Sequence, residues 1–223
     1  MSYLLSFASF IWLCIRSILT MMNALWSAPY TFWALLSVPA FLIANQALKG
    51  TPLRMGIMLH ITGELSARFM LIALMITPLR MLFPKQRWTH WLMRRRRALG
   101  VASFFYALAH TVLYCIDLET VAKIIADFPK FGIWTGWVAF AIFIPLAVTS
   151  NDYFVRRLKK KWKTLQRWTY PAAAFILLHW IFIHGHYIPA LVHFTPWIAL
   201  TLYRLWKIYG GKRRTIPQEH IAS

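Results

Sequence analysis

Acidic residues are scarce in this chain. Six Asp or Glu stand against 25 Lys or Arg, a formal net charge of +19 over 223 residues. Charge of either sign makes up only 14% of the sequence, while 59% is hydrophobic and the mean hydropathy is +0.52. That balance lies far from a soluble average. The basic excess does not mark a nucleic-acid binder: the Lys and Arg residues cluster between long apolar runs, where such a protein has no use for 12 Trp and 16 Phe. Cysteine is nearly absent. Cys14 and Cys115 each sit inside an apolar run, which excludes a disulfide framework and a zinc site. No Gly-rich turn follows a strand, so a nicotinamide dinucleotide has no docking fingerprint. No cleavable leader with a small-residue cleavage site stands out.

What is present is a succession of apolar segments. The stretch Leu165–His184 reads LQRWTYPAAAFILLHWIFIH and carries almost no charge after Arg167. As one helix it would span roughly 30 Å, the thickness of a bilayer core. Five further spans are expected at 30–48, 56–79, 98–118, 131–150 and 188–209. Residues 3–26 are apolar but interrupted by Arg16; a further membrane helix, an interfacial helix and a leader all fit them. The fold class is thus all-α: a polytopic membrane bundle of six core helices with one optional N-terminal helix. The domain plan is an N-terminal apolar extension over 1–28, one transmembrane domain over 29–209 and a disordered basic tail over 210–223.

Two histidines lie deep in apolar segments: His110 in the third span and His179 in the fifth. An imidazole in hydrocarbon must be paired or metal-bound. Both spans are odd-numbered and run the same way, and the two histidines fall at similar depth. Two facing imidazoles are what a b-type haem needs above and below its iron. The plain alternative is that each hydrogen-bonds a neighbouring helix. His60 opens the second span, where it shares a face with Glu64 and Arg68; it caps the haem site, contacts a propionate or quinone, or is an ordinary interfacial histidine. His184 and His186 lie outside the spans, either as a His-x-His metal ligand pair or in a plain solvated loop, and His90 and His220 have no role.

The stretches 80–97 and 151–167, expected as basic linkers between spans, each carry seven Lys or Arg. Both fall on one side of the membrane, and by the positive-inside rule that side is cytoplasmic. They are topology signals touching anionic lipid headgroups, or else Arg96 or Arg97 holds a haem propionate, a quinone or a flavin phosphate at the inner face.

The order of short motifs resembles the MsrQ family, haem-binding membrane subunits of a bacterial periplasmic methionine sulfoxide reductase system, within the wider ferric-reductase-like transmembrane group. The pieces are HITG at His60–Gly63, ITPLR at Ile76–Arg80, RRRRALG at Arg94–Gly100, AHTVLY at Ala109–Tyr114, LAVTS at Leu146–Ser150, KKWKTLQRWTY at Lys160–Tyr170 and LLHW at Leu177–Trp180. The resemblance covers about residues 33–208. It implies an electron carrier of the bacterial inner membrane. Electrons pass from the quinone pool through haem b to a separate periplasmic molybdenum-containing reductase subunit, and FMN has also been linked to the family. It places the haem ligands on His110 and His179 and a conserved family histidine on His60. One position departs: the family's histidine 13 residues before His179 is here Gln166. Glutamine is a poor iron ligand beside imidazole, so one haem is expected. The inner level would then be lost, or become a quinone or flavin site lined by Gln166, Arg96 and Arg97.

The reading is therefore a transmembrane electron-transfer subunit of an oxidoreductase, with no complete catalytic site of its own and no nucleic-acid partner. Two alternatives stand beside it. One is a related membrane oxidoreductase subunit, such as a ferric reductase or quinol-linked oxidase. The other is a haem-free transporter or channel that uses Glu64 and Arg68 as a permeation path.

Overall fold

The computed structural model of the protein describes residues 29–48, 55–185 and 187–213. The expected N-terminal extension, His186, His220 and the tail beyond 213 lie outside them. The chain divides into two units, residues 1–52 and 53–223. In the first, the described residues form α1 (Pro29–Leu48), an uncharged helix with Pro39 inside it.

The second unit holds α2 (Met55–Leu82), α3 (Arg87–Leu118), α4 (Val121–Asp127), α5 (Phe131–Val148), α6 (Asp152–Leu158), α7 (Lys160–Gln166), α8 (Thr169–His184) and α9 (Tyr187–Arg213). The long helices are apolar around most of their circumference, as helices are when lipid replaces water on the outer face. Phe105, Val112 and Ile116 on α3, Ile144 and Val148 on α5, and Phe182 and Ile183 on α8 are exposed. Among the described residues, α2, α3 and α5 are long and apolar enough to cross a membrane. The protein is an all-α, multi-pass membrane bundle.

Two sequence expectations are corrected. The single helix over 165–184 is divided, because α7 ends at Gln166 and α8 begins at Thr169. Pro171 explains the break: proline is tolerated in the first turn of a helix but cannot sit inside one without losing a backbone bond. The remaining α8 has 16 residues, about 24 Å at 1.5 Å per residue. The basic stretch 80–97 is likewise not a simple link. The chain turns only over residues 83–86 around Pro84, and Arg94–Arg97 already belong to α3.

Extensive packing pairs α2 with α3 and α5 with α8, and α9 lies against α2. In lipid, packing and polar contacts drive helix association, since the tails are as apolar as leucine. The α2–α3 seam shows both. The Ser66 hydroxyl donates to the Ser103 carbonyl at 2.9 Å and the Ser103 hydroxyl donates to the Ser66 carbonyl at 2.8 Å. Elsewhere Ala172, Ala173 and Ala190 are fully buried, and their small side chains let the α8 and α9 backbones approach the core of Leu71, Leu74, Phe143 and Phe194.

Candidate functional site

His110 on α3 and His179 on α8 face each other. Their ring centroids are 6.1 Å apart and their planes cross at 86°. The two helices do not close this gap by packing together; each leans on its own partner, α3 on α2 and α8 on α5.

Each partner helix holds its histidine in the same two ways. His110 Nδ1 lies 2.9 Å from the Leu59 carbonyl of α2, and His179 Nδ1 lies 2.7 Å from the Gly132 carbonyl of α5. A carbonyl oxygen only accepts, so Nδ1 is the protonated nitrogen of both rings. The ring lone pair is thereby placed on Nε2, the tautomer and orientation a metal requires. One turn further along each partner helix is a glycine. A Cβ at Gly63 would meet His110 Nδ1 at 3.1 Å, and a Cβ at Gly136 would meet His179 Nδ1 at 2.6 Å. The second contact is closer than real Cβ atoms come, so only glycine seats that ring. The site is thus a repeated device: a carbonyl at one position, a glycine four residues on, and an imidazole from the adjoining helix laid across both.

The pair sits near one end of the bundle. Gly132 is the second residue of α5, Leu59 the fifth of α2, and His179 lies five residues before the end of α8. Gly185, at φ +63°, stops α8 there, its N–H bonding the Ile181 carbonyl, a left-handed cap that glycine adopts without strain.

Around the pair is a cavity of about 340 Å³. Its walls are mostly apolar or small, with Ala107, Ala139, Phe140, Phe143, Ile176 and Trp180 among them. His60 and Glu64 line it from α2 and Tyr114 from α3. The donor set fits a porphyrin-bound iron. Two imidazoles on opposite faces of one metal, with bonds of ~2 Å, put their ring centres about 6 Å apart, as here. Among the described residues no three His, Cys, Asp or Glu side chains converge, so a bare ion such as zinc would lack its usual ligand number. A metal that brings its own equatorial ring needs only two.

The other residues singled out from sequence lie apart. Gln166 donates its amide to the Leu146 carbonyl at 3.2 Å. Arg97 bonds and ion-pairs with Asp152, whose carboxyl that contact holds below the usual carboxylate range. Arg96 donates through Nε to the Ala73 carbonyl at 2.9 Å, while Arg204 donates to the Tyr170 hydroxyl at 2.6 Å. These four contacts join α7 to α5, α3 to α6, α3 to α2 and α9 to α8, at the end remote from the histidine pair. At the pair's own end, His60 lies 3.5 Å from Glu64, which is bonded to Arg68 at 2.9 Å. Sequence reasoning missed Gly63, Gly136 and His193. The His60–Gly63 motif contained the first glycine, but nothing in one sequence says that the ring of His110, 47 residues away, rests on it.

Fold and site define a class: membrane helix bundles that present two imidazoles across a largely apolar cavity, as haem-binding redox subunits do. Residues 62–195 match the family described as the ferric reductase like transmembrane component. The chain is 36% identical over 162 residues to a protein-methionine-sulfoxide reductase heme-binding subunit MsrQ of Xanthomonas campestris pv. campestris, covering 70% of this chain and 72% of that one. It is 31% identical over 159 residues to the MsrQ subunit of Brucella ovis, 70% of each. To that of Rhizobium meliloti it is 40% identical over 123 residues, 54% of this chain and 55% of the relative. No solved structure matches. The chain belongs to the MsrQ family of ferric-reductase-like haem-binding membrane subunits.

Proposed function

We propose that the protein carries electrons across the inner membrane through one haem b, from the quinone pool to a periplasmic methionine sulfoxide reductase catalytic subunit. The observation that carries this reading is the facing pair His110 and His179, each fixed by its own backbone carbonyl and glycine. Haem bound there supplies reversible one-electron chemistry. The chain's own part is to hold it: Leu59 and Gly132 keep the proton on each Nδ1, Gly63 and Gly136 set ring height, and the apolar walls exclude water. A haem held by both imidazoles would have no free coordination position for oxygen or substrate, so its chemistry would be outer-sphere electron transfer, as a carrier requires.

The core domain of 29–209 crosses the membrane six times in this reading. The basic ends carrying Arg94–Arg97 and Arg156–Lys163 face the cytoplasm. The histidine pair then lies within a few turns of the periplasmic face, close to an external acceptor. Gln166 replaces an inner ligand and is engaged by Leu146, so one haem per chain is the expected content. The test is haem iron per chain together with the reduced-minus-oxidised spectrum of purified protein and of H110A and H179A. A low-spin b-type spectrum lost in both variants is expected. Full haem content and unchanged spectra in both would overturn the ligand assignment, and a colourless wild type would favour a haem-free transporter.

A further inference from the structure

A polar chain runs beside the histidine pair that holding haem does not require. His60 Nε2 lies 3.5 Å from Glu64 Oε1. Glu64 Oε2 is bonded by Arg68 at 2.9 Å. Arg68 Nε donates to His193 Nε2 of α9 at 3.3 Å, and His193 Nδ1 donates to the Pro189 carbonyl at 2.8 Å. The His193 ring leans on buried Trp180 at a centroid distance of 5.1 Å. An ion pair and two imidazoles within membrane helices are expensive and mark a functional site by default.

The direction of the chain follows from donor chemistry. An arginine only donates, so His193 accepts at Nε2 and carries its proton at Nδ1, with both nitrogens engaged. His193 therefore orients Arg68, and Arg68 orients Glu64. One carboxylate oxygen is held by the guanidinium, and the other is turned toward His60. Glu64 and His60 line the cavity that holds His110 and His179. They are also the chain neighbours of Gly63 and Leu59, the two backbone points on which His110 rests. Outward, the His60 side chain is 49% exposed and that of Glu64 only 21%. The arrangement is an oriented carboxylate at the mouth of a largely apolar cavity, next to one histidine of the facing pair.

We infer that Glu64 and His60 form the quinol-oxidising site, with Arg68 and His193 as positioning residues. This inference rests on the haem-carrier reading above. A quinol is an aromatic diol on an apolar tail: its ring fits between apolar walls and its hydroxyls need acceptors. A haem propionate fits poorly, because the group facing His60 is itself a carboxylate. The step balances as follows. Both O–H bonds of the quinol break, and their protons pass to the Glu64 carboxylate and the His60 imidazole and on to the outer water. The two electrons would leave one at a time to the redox group that His110 and His179 would hold, the first passing on to the external acceptor before the second is taken up, and quinone remains. Placed here, the donor needs no inner haem: Gln166 lies on α7, across the break from α8 that carries His179, whereas Glu64 adjoins the glycine under His110.

The test uses haem-loaded protein in lipid nanodiscs, a soluble short-chain benzoquinol as reductant and an azido-benzoquinone as photolabel. Glu64→Gln should slow quinol-driven haem reduction by roughly a hundredfold, the usual worth of a positioned proton acceptor. Dithionite reduction and the haem spectrum should be unchanged. Glu64→Asp should recover most of the rate, and His60→Gln should slow it independently. The photolabel should map to α2 near residues 60–68 or to α9 near His193. A wild-type rate in both Glu64→Gln and His60→Gln, or labelling confined to the basic end around Gln166, overturns the site while leaving the carrier reading intact. A haem-loaded wild type that no quinol reduces removes the quinone pool as donor, and the site with it.

Discussion

At the scale of single residues, the site depends on side chains that are missing. Gly136 and Gly63 leave the space in which the imidazoles lie, and the two are not equally strict. A Cβ would come within 2.6 Å of the ring at Gly136 but only 3.1 Å at Gly63. Overpacking of this kind costs about 1–3 kcal/mol, and the rings are the groups that must move. Gly136→Ala is therefore expected to lower haem content and broaden the low-spin spectrum, with Gly63→Ala milder. Equal spectra in the two variants would contradict the seating argument. Gln166 gives the converse case. Its amide bonds Leu146 far from the histidine pair, so Gln166→Ala should leave the haem spectrum unchanged and cost on the order of 1 kcal/mol of stability. A spectral change there would reveal a cofactor at the inner level.

At the scale of elements, helix pairs are joined by few but specific polar contacts. The reciprocal Ser66–Ser103 bonds close the α2–α3 seam just below the His110 level. Interhelical bonds in membranes are worth about 0.6 kcal/mol each on average. Ser66→Ala with Ser103→Ala should thus lower unfolding stability by roughly 1 kcal/mol and lower haem retention on heating. A double variant that melts with the wild type would make the seam purely steric. The Arg97–Asp152 contact joins α3 to α6 at the basic end, and its effect on stability has a definite sign. The Arg97 hydrogen bond holds the Asp152 carboxyl below its usual value. The contact therefore stabilises fully above the ordinary carboxylate range of about 4 and fades as pH falls through the lowered folded value. Asp152→Asn should melt below the wild type at neutral pH, and the two should converge in acid. A constant difference across that range would show that charge is not the cause. The carboxylate is largely exposed, its side chain at 71%, so the neutral-pH difference should be small.

At the scale of the whole molecule, the question is which end faces which compartment. All of Arg94–Arg97 and Arg156–Lys163 lie at the end remote from the histidine pair, joined there by Arg96–Ala73, Arg97–Asp152 and Gln166–Leu146. In a background without Cys14 and Cys115, cysteines at Lys85 and Lys160 should resist an impermeant thiol reagent in intact cells, and one at Lys123 should react. The reverse pattern would turn the histidine pair toward the cytoplasm and remove the periplasmic acceptor.

Much of this was legible in one dimension. Apolar runs and clustered positives define a membrane bundle, because bilayer thickness and leaflet charge act on composition directly. The depths of His110 and His179 follow from counting residues along helices, and counting holds where helices run unbroken. It failed at Thr169, where Pro171 restarts the helix, and at Arg87–Arg97, where good helix formers extend α3 through a stretch read as a link. What no count could supply is lateral. Which carbonyl fixes each imidazole tautomer, which glycine lies beneath each ring, and that His193 on α9 completes a chain from His60 all depend on how helices far apart in sequence pack together. A hydrogen bond between residues 125 positions apart, such as Arg68 to His193, leaves no periodic mark in either segment, so only the tertiary structure decides it.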